Sequence, residues 1–181
     1  MNKLLTIAER LDAIVDGIGR LAAWLLPVLV VLTVFDVVTR RYFFGSSAAV
    51  QEMEWHLHTA IFALCLGYGY LRNAHVRIEI LRERMLSRGR AVVELLGCLF
   101  LLLPYMAVLI YFGVDFVASS YAMGEGSSSP AGLPHRWVIK GVLLLGIVLM
   151  LLAGISTALR QVLVLFASSA DLRARAGEGK G

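Results

Sequence analysis

The stretch WVIKGVLLLGIVLMLLAGISTAL, residues 137–159, decides the fold. It carries one charge, Lys140, in its first turn, and is long enough to cross a hydrocarbon core, which takes roughly 17–25 helical residues. Three other runs share this character: Leu21–Thr39, Trp55–Leu71 and Ala91–Val114. Lipid offers no hydrogen bonds to a backbone, so each run is expected to be helical. The short alternating segments of a membrane β-barrel are absent. The expectation is an all-α integral membrane protein with four transmembrane helices.

The chain of 181 residues is 59% hydrophobic, with a mean hydropathy of +0.76. Its net charge is +4, but placement matters more than size. Of the 17 basic residues, 13 lie before run one, between runs two and three, or after run four. The alternate side holds Arg40, Arg41, Arg136 and Lys140. The positive-inside rule then puts both termini and the middle loop in the cytoplasm. Arginines that border membrane spans meet phospholipid head groups, which argues against a nucleic-acid partner.

Residues 1–20 read as an amphipathic N-terminal helix. Leu4, Ala8, Leu11, Val15 and Ile18 form its apolar stripe, with Glu9, Asp12, Asp16 and Arg20 off it. The stripe can lie at the membrane interface or dock on a partner helix. A four-helix domain over 21–166 and a flexible cytoplasmic tail over 167–181 complete the expected division. Pro27 is expected to kink span one.

The polar residues at the span ends are the candidate interface groups. Asp36 and Arg40 are four apart and can pair on one helix face, with Arg41 beside them. Glu52, Glu54 and Trp55 open span two, where acids suit the helix N-terminus and Trp suits the boundary. Glu54 and His58 are again four apart. Thr59, Ala63 and Gly67 form a small-residue face that lets another helix approach. Arg72, His75, Arg77 and Glu79 start the basic loop, within which Ile78, Leu81 and Met85 can share the face of a short interfacial helix. Arg90 and Glu94 can pair as span three begins. Residues 119–136, rich in Gly, Ser and Pro, read as an irregular aqueous loop. Arg136 and Trp137 then begin span four, and Lys140 can snorkel outward.

Catalytic and cofactor motifs are missing. There is no phosphate loop, Ser/His/Asp arrangement or Cys/His metal spacing, so neither an enzyme nor a cofactor is expected. Cys65 and Cys98 both fall inside apolar runs. No ionisable residue lies near the middle of a span, where carriers hold their solute or ion. Two rival readings are a self-sufficient homodimeric exporter and a haem-bearing membrane anchor of a respiratory complex. The first lacks a mid-membrane carboxylate. The second would pair His56 or His58 with His135, all at span ends.

Four segments together resemble the small membrane subunit, the DctQ-type small permease, of tripartite ATP-independent periplasmic (TRAP) transporters. They are Asp36…Arg40-Arg41-Tyr42-Phe43-Phe44, Glu52-Met53-Glu54-Trp55, Gly67…Arg72-Asn73-Ala74-His75-Val76-Arg77-Ile78-Glu79, and Gly124-Glu125…Ser128-Ser129-Pro130…Gly132-Leu133-Pro134-His135-Arg136-Trp137-Val138-Ile139-Lys140. The resemblance covers roughly 21–159. It implies a scaffold subunit in the bacterial inner membrane, paired with a large many-helix permease subunit that carries solute and sodium. A periplasmic solute-binding protein would deliver the substrate, an organic acid.

Overall fold

The computed structural model describes residues 2–42, 47–74 and 86–178, with only the backbone of residues 2, 87 and 167–178. Among them every regular element is helical. Helices α1 (Asn2–Ala23) and α2 (Leu25–Tyr42) form one long stretch interrupted at Trp24, whose N–H bonds back to Leu21 O at 3.1 Å. Pro27 explains the interruption. It has no N–H to offer the Ala23 carbonyl, and its ring crowds that turn. Helix α3 (Ala48–Leu71) follows, then α4 (Ser87–Gly97), a π-helical turn (Cys98–Leu102), α5 (Leu103–Ala122) and α6 (Trp137–Glu178). The Leu103 N–H reaches back to Cys98 O, closing the wide turn just before Pro104. That proline again lacks an N–H, and a π-turn is one way a helix absorbs the defect.

Among the described residues three stretches are long and apolar enough to cross a membrane: Lys3–Tyr42, Arg88–Ala122 and Trp137–Phe166. The expected fourth, in α3, is a helix but is not one of these. Its first turns carry Gln51, Glu52, Glu54, His56 and His58, which lower its apolarity.

Helix α6 is the hub, packing against α1, α3, α4 and α5, while α2 packs mainly on α3 and less on its own continuation α1. The core gathers Val15, Leu149 and Ala153, flanked by Ile18, Leu64, Tyr70 and Leu152. Along α1 and α2 the buried positions with side chains are Ala8, Val15, Ala22, Leu29 and Asp36. These are seven residues apart, the spacing that keeps one seam facing a neighbour. Much of the rest of α2 is exposed and apolar, including Leu26, Val30, Val31, Val34 and Phe35. Together with Phe100, Leu101, Tyr111 and Phe112, this is far more apolar surface than water tolerates, and it suits lipid.

Ala63 and Gly67 do not face outward. A Cβ added to Gly67 would sit 2.9 Å from Leu149 O, and one added to Gly146 would sit 2.4 Å from Ala63 O. The small-residue face is therefore spent inside the chain, where it brings the α3 and α6 backbones into contact. The helix this face admits is the chain's own α6.

Candidate functional site

The polar side chains gather at the two ends of the helices. At one end, α5 stops at Gly124, whose φ of +59° glycine adopts readily. Glu125 N then bonds Ser120 O at 3.0 Å, closing the helix end. The loop that follows folds on itself. Ser127 N bonds Leu133 O at 3.1 Å, Gly132 N bonds Ser129 O at 3.0 Å, and Arg136 N bonds Glu125 O at 2.9 Å. Residues 123–136 carry no regular secondary structure, as composition implies, while 119–122 still belong to α5, and these internal hydrogen bonds tie the irregular part together.

Glu52, in the second turn of α3, holds that loop down. Its carboxylate accepts the Ser127 hydroxyl, the Leu133 N–H at 2.7 Å and Arg136 Nη2 at 3.4 Å. Gly132 must be glycine here, since a Cβ would lie 2.2 Å from Ser127 Oγ and 2.8 Å from Glu52 Oε2. The Ser127 hydroxyl, and then the Leu133 N–H, hold the Glu52 carboxyl below its ordinary value against the opposing effect of burial. Lys140 pairs with Glu125 and lies 3.9 Å from the Phe116 ring centroid. Lys140 thus turns to the loop rather than reaching free to water, and it draws the Glu125 carboxyl down likewise. A cavity of about 300 Å³ beneath the loop is lined by Glu52, His56, Thr59, Glu125, Arg136 and Lys140. Trp137 packs edge-on against Tyr121 at 5.3 Å, while Trp55 is exposed.

Near this end Asp36, only 4% exposed, pairs with Arg40 as the i,i+4 spacing implies. With its amide oxygen turned to the guanidinium, Gln51 accepts from Arg40 Nη1 and Nη2 at 2.7 and 2.9 Å, tying α2 to α3. Arg41 and Glu54 line the adjoining groove with Thr33 and Val37. Glu54 does not close onto His58. Its Oε1 is buried without a hydrogen-bond partner among the described residues, and His58 is exposed.

The opposite end is clamped by α1. Ser156, fully buried, lies within hydrogen-bond reach of Ala8 O and of the Asp12 carboxylate. Arg160 donates Nε to Asp12 Oδ2 at 3.1 Å, with Nη2 on the same oxygen. Arg72 Nη2 donates to Asp16 Oδ1 at 2.5 Å, and Arg20 pairs with Asp16 too. Asn73, with φ 55°, ends α3 while Ala74 N bonds Gly69 O at 2.9 Å. Glu94 accepts Gln161 Nε2 at 2.6 Å. The α1 stripe thus docks on the chain's own α3 and α6. His75, Arg77 and Glu79 lie outside the described residues, as do Phe43, Phe44 and the helix expected around Ile78, Leu81 and Met85.

The Glu52 latch joins two of the sequence segments singled out above, 81 residues apart at Leu133. Residues 29–164 match the family model for tripartite ATP-independent periplasmic transporters, DctQ component. The chain belongs to the DctQ family. Among curated proteins there is no match. As a DctQ-type small subunit of a TRAP transporter, it is a transport component with membrane-capable helices. Helix α1 precedes the matched range, yet its Asp12 and Asp16 hold Arg160 and Arg72 inside it. Sequence reasoning missed these clamps and the Ser127–Gly132 contact to Glu52. The seven-residue spacing from Ala8 to Asp36 was the available signal for the first.

Proposed function

We propose that this DctQ chain is the scaffold and anchor subunit of a TRAP importer of an organic acid, a carboxylate. It broadens the fixed membrane part of the complex, while solute and sodium move through a large many-helix subunit. A periplasmic binding protein supplies the solute. The chain sits in the bacterial inner membrane with α3 as a fourth span and both termini cytoplasmic.

The observation that carries this reading is the division of the molecule into two polar ends and an apolar middle. Between the Glu52 latch and the α1 clamp, α3 and α6 touch backbone to backbone at Gly67 and Gly146. A solute path needs a polar cavity at mid-depth, and that contact leaves no room for one between α3 and α6. The four-span reading is supported by which ends meet. The start of α3 meets the end of α2 through Gln51 and Arg40, whereas its end meets α1 through Arg72 and Asp16. Helix α6 starts beside Glu52 and runs to Asp12. The exposed apolar face of α2 is the surface this reading assigns to the large subunit, with Asp36, Arg40, Arg41 and Glu54 at its edge.

Co-purification tests the proposal. A tagged chain should bring down a many-span membrane protein, and Val31→Trp or Phe35→Ala on α2 should reduce that yield with insertion unchanged. A stable chain that captures no large partner would contradict it.

A further inference from the structure

A groove of about 510 Å³ runs between the end of α2 and the first turns of α3, lined by Thr33, Asp36, Val37, Arg40, Arg41 and Glu54. Its two carboxylates are provided for differently. Asp36 has Arg40 on its own helix. The same guanidinium gives Nη1 and Nη2 to the Gln51 amide oxygen, so Arg40 is already committed to both walls. Glu54 lies about one turn after Gln51 on α3. Its Oε1 is buried and has no donor among the described residues. Arg41 also lines the groove, but among the described residues no ion pair joins it to Glu54.

A carboxylate oxygen withdrawn from water and given no donor carries a desolvation cost that nothing in the chain offsets. Beside it Val37 is 59% exposed, and Val34 and Phe35 continue the apolar face of α2. An acid at the edge of an apolar helix face is a docking point of a particular kind. The apolar face supplies contact area, while the charge fixes depth and rotation. Its complement is a cation carried by an apolar helix. A Lys or Arg near the end of a membrane span can lay its stem along Val37 and bring its head to the carboxylate.

We propose that Glu54 accepts a basic side chain of the large subunit, which enters the groove between α2 and α3 and completes an ion pair that the isolated chain lacks. This rests on the reading that the apolar face of α2 meets the large subunit, and adds which groove is filled and by what chemistry. Arg40 stays with Asp36 and Gln51 and holds the two walls at a fixed spacing for the incoming side chain.

Glu54→Gln keeps the size of the side chain and removes its charge. In the isolated chain it should not lower the thermal unfolding temperature, because the carboxylate it replaces has no partner there. In the complex it should speed release of the large subunit about tenfold, the effect of losing one hydrogen bond to a charged group. A structural role would instead lower the stability of the isolated chain, and that result would overturn the proposal. A photo-crosslinking phenylalanine analogue at position 37 identifies the occupant in membranes holding the full complex. The adduct should form with the large subunit, at a peptide carrying Lys or Arg. Adducts confined to lipid, to the binding protein or to a second copy of this chain would overturn the proposal. Val31→Trp separates the two claims. If it leaves the complex intact, the assignment of the α2 face fails and the ion pair with it. If it breaks the complex while Glu54→Gln releases at the parental rate, the face stands and the ion pair is refuted.

Discussion

Glu52 Oε2 accepts the backbone N–H of Leu133 at 2.7 Å, across 81 residues of sequence. This bond, with those from Ser127 and Arg136, makes the 123–136 loop part of the helical body rather than an appendage. Replacing Glu52 by Ala leaves the Leu133 N–H and the Ser127 hydroxyl without their acceptor. The expected result is faster amide exchange at Leu133 and new protease cleavage between Ser127 and Gly132. Helix content should be unchanged. Exchange identical to the parent at Leu133 would mean the latch holds nothing.

The same latch gives a pH dependence with a definite sign. Glu52 and Glu125 are both held below the ordinary glutamate value of 4.5 by groups that favour the charged form. Their stabilisation is fully present above that value and is lost as pH falls through the lowered folded values. Loop protection should therefore be flat from neutral pH to about pH 5 and decline below it. In Glu52→Gln the decline should be shallower. Amide exchange at Leu133 and Arg136 across that range provides the check.

Gly67 and Gly146 let two backbones touch, so enlarging either should part α3 from α6. Gly146→Ala places a Cβ 2.4 Å from Ala63 O, and overpacking of this kind costs about 1–3 kcal/mol. Gly67→Ala, at 2.9 Å from Leu149 O, should cost less. Thermal unfolding in detergent should rank Gly146→Ala below Gly67→Ala, and both below the parent.

Ser156 is fully buried beside Ala8 O and the Asp12 carboxylate. Ser156→Ala removes the hydroxyl and leaves a carboxylate oxygen short of a donor, a loss of about 1–3 kcal/mol. Amide exchange in α1, from Ala8 to Asp16, should rise while α5 is unaffected. A uniform rise over the whole chain would point to global rather than local loosening.

Much of the architecture is legible from composition and spacing, because a long apolar run in lipid has no alternative to the helix. The Asp36–Arg40 pair is legible for a similar reason. It is local, and helix geometry alone brings the two side chains together. Glu54 and His58 have the same spacing and do not bond, since packing turns Glu54 inward. Long-range pairs were not legible. Nothing in the neighbourhood of Asp12 names Arg160, and nothing near Glu52 names Leu133. Composition marked 123–136 as irregular but gave no sign that Ser127 and Gly132 lie against Glu52. The Ala63–Gly67 face was visible as a packing surface, but its partner turned out to be α6.

The proposal that this chain supports a transport path it does not itself contain is open to one decisive measurement. Purified full-length chain would be reconstituted into liposomes, alone and with its co-purifying large subunit and binding protein. Sodium-driven uptake of labelled mono- and dicarboxylates would then be followed. Uptake should require the large subunit and be absent from vesicles holding this chain alone. Saturable uptake by the chain alone would contradict the scaffold reading.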